Sequence, residues 1–444
     1  MKFKKLLALT MTGMMLASLA ACGGSSSSSA APAASEAAPA ASEAAPAASE
    51  AATSEAAPAE STPAEAAPAA SGFVGANTGK VAETDWEIAA DIYNGTETDE
   101  ELYEKAKAEG ALTVYSISSR MPKVVEAFMA KYPGIEVESF DVKTNELLEK
   151  VSREHEAGQY IADVVHVKDE DGSIWNEYIP NKIFYCYQPE DILSHDDPAY
   201  YQTQTPLYIE LTQLFYNSEA YPDGSPITNI WQLTTDEWKG RIVMQNPLDN
   251  VSWGAWVTGF TIGSAPDKLA QAYEELFGEP LELSPECENA GYEFWKRLYA
   301  NEPIFCSSSD ETAEAVGARG QENPPVGFSA SSKVRKNKDN DWVLAPVNLY
   351  PTTGIPLVNT VYMVEGCQHP YAAKLFIRFL LGGIDGDTSG YEPFNTLGGW
   401  PVRDDIAPAE GSTPYSEILV SADYDSSELY AKVQDMRDFL TMLG

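Results

Sequence analysis

The chain has 444 residues, with 67 acidic against 29 basic side chains and a formal net charge of −38. That excess excludes a nucleic-acid binder, which needs a basic face for phosphates. Net charge speaks more to a solvated surface than to a site, so it selects no ligand by itself.

The opening 22 residues place Lys2, Lys4 and Lys5 ahead of an apolar run that ends in small residues, the pattern of an export leader. The end of that run, Leu19-Ala20-Ala21-Cys22, resembles the lipobox of bacterial lipoproteins, in which the cysteine carries lipid. The resemblance implies an extracytoplasmic protein anchored to the cell membrane through Cys22. Residues 23–75 repeat "AAPAASE" and carry Glu36, Glu43, Glu50, Glu55, Glu60 and Glu65. With almost no large apolar residue, this tract cannot offset its ordering entropy, and a disordered tether is expected.

Residues 76–444 hold the aromatic residues and the expected folded unit. Thr98 and Glu101 form a capping-box pattern before a helix that Gly110 stops. "ALTVY" predicts a strand, and "RMPKVVEAFMAKYPG" a helix with Val124, Val125, Phe128 and Met129 on one face. "IEVESF", "TNELLEKVSREHEAG" and "ADVVHV" continue as strand, helix and strand. This is the alternation of a parallel sheet with crossover helices.

The runs Leu207–Asn217 and Ile355–Val364 read as long strands that bracket a second α/β set. That set comprises "GRIVMQNP", a helix through "SWGAWVTGF", a helix around "FWKRLYA", and strands in "PPVGFSA" and "WVLAPV". A last helix, "HPYAAKLFIRFLLGG", follows the second run. This order predicts two lobes, one over about 98–210 and 362–444 and the other over about 214–356. Two hinge strands would join them, with a ligand cleft between, because open α/β sheets bind at strand C-terminal ends.

Five segments in order, "GALTVYSISSRMPKVVEAFMAKYPGIEVESF", "AGQYIADVVHV", "LFYNSEAYP", "WKGRIVMQNP" and "GGWPVRDDI", resemble the extracellular solute-binding proteins of ABC transporters. The branch is the one that includes the ferric-iron binders, and the resemblance covers roughly residues 110–408. It implies a type II periplasmic-binding-protein fold, a monomer that closes on a small solute and delivers it to an ABC permease. It also implies no enzymatic activity and no cofactor.

In the iron-binding members the metal is held by a histidine in the first strand-to-helix turn, a glutamate after the third strand, and paired tyrosines. Here Ser119 falls at the first position, Lys168 at the second, and Ser331 and Ser332 at the third. Hydroxyls and a lysine are poor ligands for Fe(III), which takes hard anionic oxygens. Ser118, Ser119, Arg120, Lys168, Ser331 and Ser332 instead suit an anionic organic solute such as a phosphorylated sugar or phosphonate. Asn250, Ser252 and Trp253 at another helix start could add polar contacts and an apolar wall. The serines could equally serve as helix caps, and Trp253 as core.

Ferric iron, another metal and a polyamine are the alternatives within the fold. A secreted hydrolase is the alternative outside it, suggested only by the incomplete nucleophile elbow "GFSAS". Asp385, Asp387, Ser389 and Gly390 match the first positions of a calcium loop that ends at Thr396 instead of glutamate. Export permits disulfides, but the spacing of Cys186, Cys287, Cys306 and Cys367 leaves their state open.

Overall fold

The computed structural model describes residues 84–196, 204–421 and 423–444. The leader, Cys22 and the tether expected over residues 23–75 lie outside the described residues.

Helix α1 (Asp99–Glu109) starts at the predicted capping box of Thr98 and Glu101, and it ends at Gly110 with φ 75°. The chain then runs through β1 (Ala111–Ser116), α2 (Met121–Lys131), β2 (Glu136–Asp141), α3 (Thr144–Glu156) and β3 (Val164–Lys168). β1 pairs in parallel with β2 and β3, so the sequence alternation does build a parallel sheet. Phe128 of α2 is fully buried and packs edge-on against Phe376 and Phe379, so truncating it to alanine would cost about 3–5 kcal/mol.

The remaining strands are β4 (Phe184–Tyr185), β5 (Pro206–Glu210), β6 (Thr212–Asn217), β7 (Ile242–Gln245), β8 (Ile304–Cys306), β9 (Val326–Ala330), β10 (Leu344–Pro346), β11 (Leu357–Val364) and β12 (Gly399–Pro401). They form two sheets. The first has order β12-β5-β11-β3-β1-β2, with β4 on β11, and the second has order β10-β6-β9-β7-β8. Each sheet has its own core. Trp256, Trp295, Phe260 and Phe328 centre the second, with Trp256 on α4 (Val251–Thr258), Trp295 on α5 (Ala290–Ala300) and Phe260 just past the end of α4.

The long run Leu207–Asn217 reads as one strand in sequence and is two strands in space. It breaks at Leu211, with β5 in the first sheet and β6 in the second. Residues 347–356 make a second crossing, from β10 back to β11. A third was not foreseen. After α6 (Pro370–Leu381) and β12, the chain passes residues 348–354 through the bonds Thr353 N to Leu419 O (2.7 Å) and Ser421 N to Gly354 O (2.9 Å). It ends in α7 (Ser426–Leu443).

Leu429, Met436, Phe439 and Leu440 of α7 lie in the second-lobe core. The expectation that everything from 362 to 444 belongs to the first lobe therefore fails for this helix, whose apolar stripe fits the opposite partner. The first turn of α7 still touches the first lobe, where the Ser427 hydroxyl donates to Asn176 Oδ1 at 3.0 Å.

Candidate functional site

Three strand ends converge on one edge of the first sheet. β5 is antiparallel to β11, and β11 is antiparallel to β3, so the C-terminal ends of β1, β3 and β5 point the same way. They deliver, in turn, the Ser116–Arg120 turn, Lys168 and Glu210.

Arg120 is the most constrained of these groups. Its Nε donates to Ser118 Oγ at 3.3 Å, Nη1 to Thr396 Oγ1 at 3.3 Å and Nη2 to the Tyr208 hydroxyl at 2.9 Å. The guanidinium also lies against the rings of Tyr208 and Phe394, 5.3 Å and 4.9 Å from their centroids. A guanidinium carries five N–H groups, so one on each terminal nitrogen remains for another partner. Ser118 is buried and orients the arginine, while Ser119 is exposed. Neither serine side chain caps α2; the cap position is Arg120 itself, without a side-chain capping bond.

Lys168 Nζ stands 3.7 Å from Glu170 Oε1 and 3.6 Å from Glu210 Oε2, while Arg120 Nη2 is 3.6 Å from Glu210 Oε1. These separations exceed the 2.7–2.9 Å of a charge-assisted hydrogen bond, so the charges compensate without using up the donors. Burial works against the Lys168 ammonium, but Glu210 and Glu170 outweigh it and raise its pKa. Burial also works to raise the Glu210 carboxyl. Lys168, Arg120, the Ser332 hydroxyl and Arg335 overcome that and hold it below the usual carboxylate range.

Beneath Arg120 lies His166, fully buried, its Nδ1 2.9 Å from Ser116 Oγ and its ring 5.3 Å from that of Phe394. Desolvation, then the Arg120 and Lys168 charges, push its pKa down to about 3. It is a neutral packing residue.

The second lobe is different. Ser331 is fully buried: its Oγ accepts from Leu211 N at 3.0 Å and donates to Gly398 O, and its N donates to Leu211 O at 2.8 Å. Every polar group of its side chain is spent on the hinge. Gly398, at φ 79°, allows this approach, because a Cβ there would lie 2.0 Å from Ser331 O. The Ser332 carbonyl accepts from Arg335 Nη1 at 3.1 Å, and its hydroxyl favours the ionised form of Glu210.

Asn250 is the N-cap of α4 and accepts from Trp253 N at 3.2 Å. Trp253 is buried against Trp256, its indole donating to Gln245 Oε1 at 2.6 Å, which makes it core and not a stacking platform. Ser252 is half-buried on the same helix. The structure thus unites Ser118, Arg120, Lys168 and Ser332 around Glu210 and leaves Asn250, Trp253 and Ser331 in structural roles. Glu210, Tyr208, Phe394, Thr396 and Arg335 belong to this candidate site and were missed by sequence reasoning. The one available signal was Glu210, the single charged residue inside the strand-like run "LYIELTQLF".

The competing chemistries find little support. Ser329 of "GFSAS" is fully buried and donates to Ser309 O at 2.8 Å, so its hydroxyl is not presented as a nucleophile. In the proposed calcium loop, Asp385 and Asp387 accept backbone N–H groups, and Asp387 pairs with Lys131 at 2.8 Å. The terminal Thr396 serves Arg120. Among the described residues, His195, Asp404 and Asp405 bring ligand atoms within 4.8 Å of one another, but Arg403 already pairs with Asp405 at 2.6 Å. Cys186, Cys287, Cys306 and Cys367 form no disulfide with one another.

Residues 123–418 match the family described as bacterial extracellular solute-binding protein. No curated protein sequence matches the chain. Among solved structures, iron-bound HitA from Pseudomonas aeruginosa aligns over 75% of this chain and 99% of its own, with TM-score 0.54 and 14% identity. AfuA from Actinobacillus pleuropneumoniae with fructose-6-phosphate bound aligns over 74% and 97%, with TM-score 0.55 and 15% identity. Apo ferric ion-binding protein A from Pasteurella haemolytica aligns over 75% and 98%, with TM-score 0.54 and 14% identity. Identities this low establish a shared two-lobed fold and leave the ligand to be argued from the site.

Proposed function

Because the chain belongs to the bacterial extracellular solute-binding protein family, and so serves as a substrate-binding component of an ABC transporter, we propose that its solute is a small organic anion, a phosphorylated sugar or phosphonate being the reference case. The observation that carries this reading is Arg120, held rigid by Ser118, Thr396 and Tyr208 with two N–H donors to spare. A preorganised guanidinium beside an unconsumed ammonium is a fork for a phosphate or carboxylate, and it loses little freedom when the ligand arrives. Arg335 adds its charge from the second lobe. That AfuA holds fructose-6-phosphate indicates that the fold accommodates such a ligand.

Ferric iron fits less well, since Arg120 and Lys168 would repel a trivalent cation. A polyamine is the second reading, and Glu170 and Glu210 favour it. We further propose that Cys22 carries lipid and that residues 23–75 act as the tether, setting the binding unit off the membrane near its permease. The solute would pass from cleft to permease without chemical change.

Thermal-shift and calorimetric titrations of the purified chain with fructose 6-phosphate, fructose, ferric citrate and spermidine test the solute class. A ligand bound only by the folded state must raise the melting temperature. Stabilisation by fructose 6-phosphate but not fructose is expected. A response to spermidine or ferric citrate alone would overturn the anion and leave the transport role in place.

A further inference from the structure

Glu210 stands between the two cations proposed to hold an anionic solute. It is the last residue of β5, one position before the hinge at Leu211, and only 8% exposed. Its two oxygens are divided between cations, Oε1 at 3.6 Å from Arg120 Nη2 and Oε2 at 3.6 Å from Lys168 Nζ. From the other lobe the Ser332 hydroxyl and the Arg335 charge favour its ionised form. An unpaired buried cation is costly, and two neighbouring ones repel, so an empty site with Arg120 and Lys168 needs a compensating charge. Glu210 supplies it at a distance that leaves the N–H donors unspent.

We propose that Glu210 is a built-in competitor of the solute, a specificity-determining residue that stands in for the ligand's acid group and must be outbid by it. The proposal rests on the anion reading above. An arriving anion meets the repulsion of this fixed carboxylate as well as the attraction of the cations. A doubly charged phosphate overcomes that opposition, whereas a singly charged carboxylate gains less from the cations and is turned away. Selectivity between two acids of similar size then comes from a repulsive element inside the site.

The alternative role for Glu210 is as an acceptor for a ligand hydroxyl, and the two roles predict opposite signs. Isothermal titration of the full chain and of its Glu210→Gln and Glu210→Asp variants would use fructose 6-phosphate, gluconate and fructose. The competitor role predicts that Glu210→Gln binds fructose 6-phosphate roughly tenfold more tightly, or about 1.4 kcal/mol. Gluconate should gain more than fructose 6-phosphate, so that discrimination between them collapses. Glu210→Asp retains the charge but draws it back by one methylene, and it should move in the same direction by less, which keeps the test open if the glutamine variant does not fold. Unchanged or weaker binding of fructose 6-phosphate by the folded variants, with the parent chain binding it, overturns the competitor role alone. Failure of the parent chain to bind either anion overturns the anion reading and this inference with it.

Discussion

The two lobes put the same residue types to different uses at the edge where they meet. On the first lobe, Ser118 holds Arg120, and Lys168 stands between two carboxylates with its donors unspent. On the second, Ser331 is consumed by Leu211 and Gly398, Asn250 by its own helix, and Trp253 by Gln245 and Trp256. A serine beside a helix start or hinge is therefore a poor marker of a site, because the backbone competes for its hydroxyl. Charged groups at strand ends are better markers, since burying them requires a purpose or a partner.

The largest expected effect is on the first lobe. Arg120→Ala should weaken fructose 6-phosphate binding by on the order of 100-fold, the value of one or two charged hydrogen bonds, as read by calorimetry. Binding within a few-fold of the parent would erase the contrast between the lobes.

Next comes Ser331→Ala, which strands the Leu211 N–H and the Gly398 carbonyl inside the hinge. A loss of about 1–3 kcal/mol in urea unfolding is expected, with the preference for one anion over another unchanged. A change of preference without loss of stability would return Ser331 to the ligand.

His166 gives a pH signature. Its folded pKa of about 3 lies below the unfolded value near 6.5, so between these limits the unfolded chain binds more protons and stability falls as pH falls. Replacement by Gln should flatten the stability profile over pH 6.5 to 4, by up to about 1.4 kcal/mol per pH unit. An unaltered slope would mean that the imidazole is not held neutral beneath Arg120.

The smallest effect should come from Ser119→Ala. This residue is exposed and caps nothing, and it should shift neither melting temperature nor affinity measurably. A clear loss of affinity would give back to the turn the ligand contact that its neighbour Ser118 now has only through Arg120.

Much of the fold was legible because strand, turn and helix each carry local signals. Thr98 and Glu101 mark a cap and Gly110 a stop, and both behave accordingly. The break at Leu211 was not legible, since no Gly or Pro interrupts the run where the chain changes sheets. The return of α7 to the second core was hidden for a related reason: an amphipathic helix states that it has a partner but not which one. At the site, Arg120 and Lys168 could be read from their positions after strands. Their regulators could not, because Tyr208 and Glu210 look like strand residues, and Phe394 and Thr396 lie some 275 residues from Arg120.

Gly398 links the two halves of this comparison mechanically. Its carbonyl is bonded to Ser331 of the second lobe, and only two to four residues earlier the same loop supplies Thr396 and Phe394 to Arg120 of the first. The loop is a strap fixed at both ends. If Arg120 holds the solute as proposed, parting the lobes would draw Ser331 against the segment that steadies the guanidinium and so loosen the grip. A permease that holds the two lobes apart would find the arginine already less able to keep what it carries.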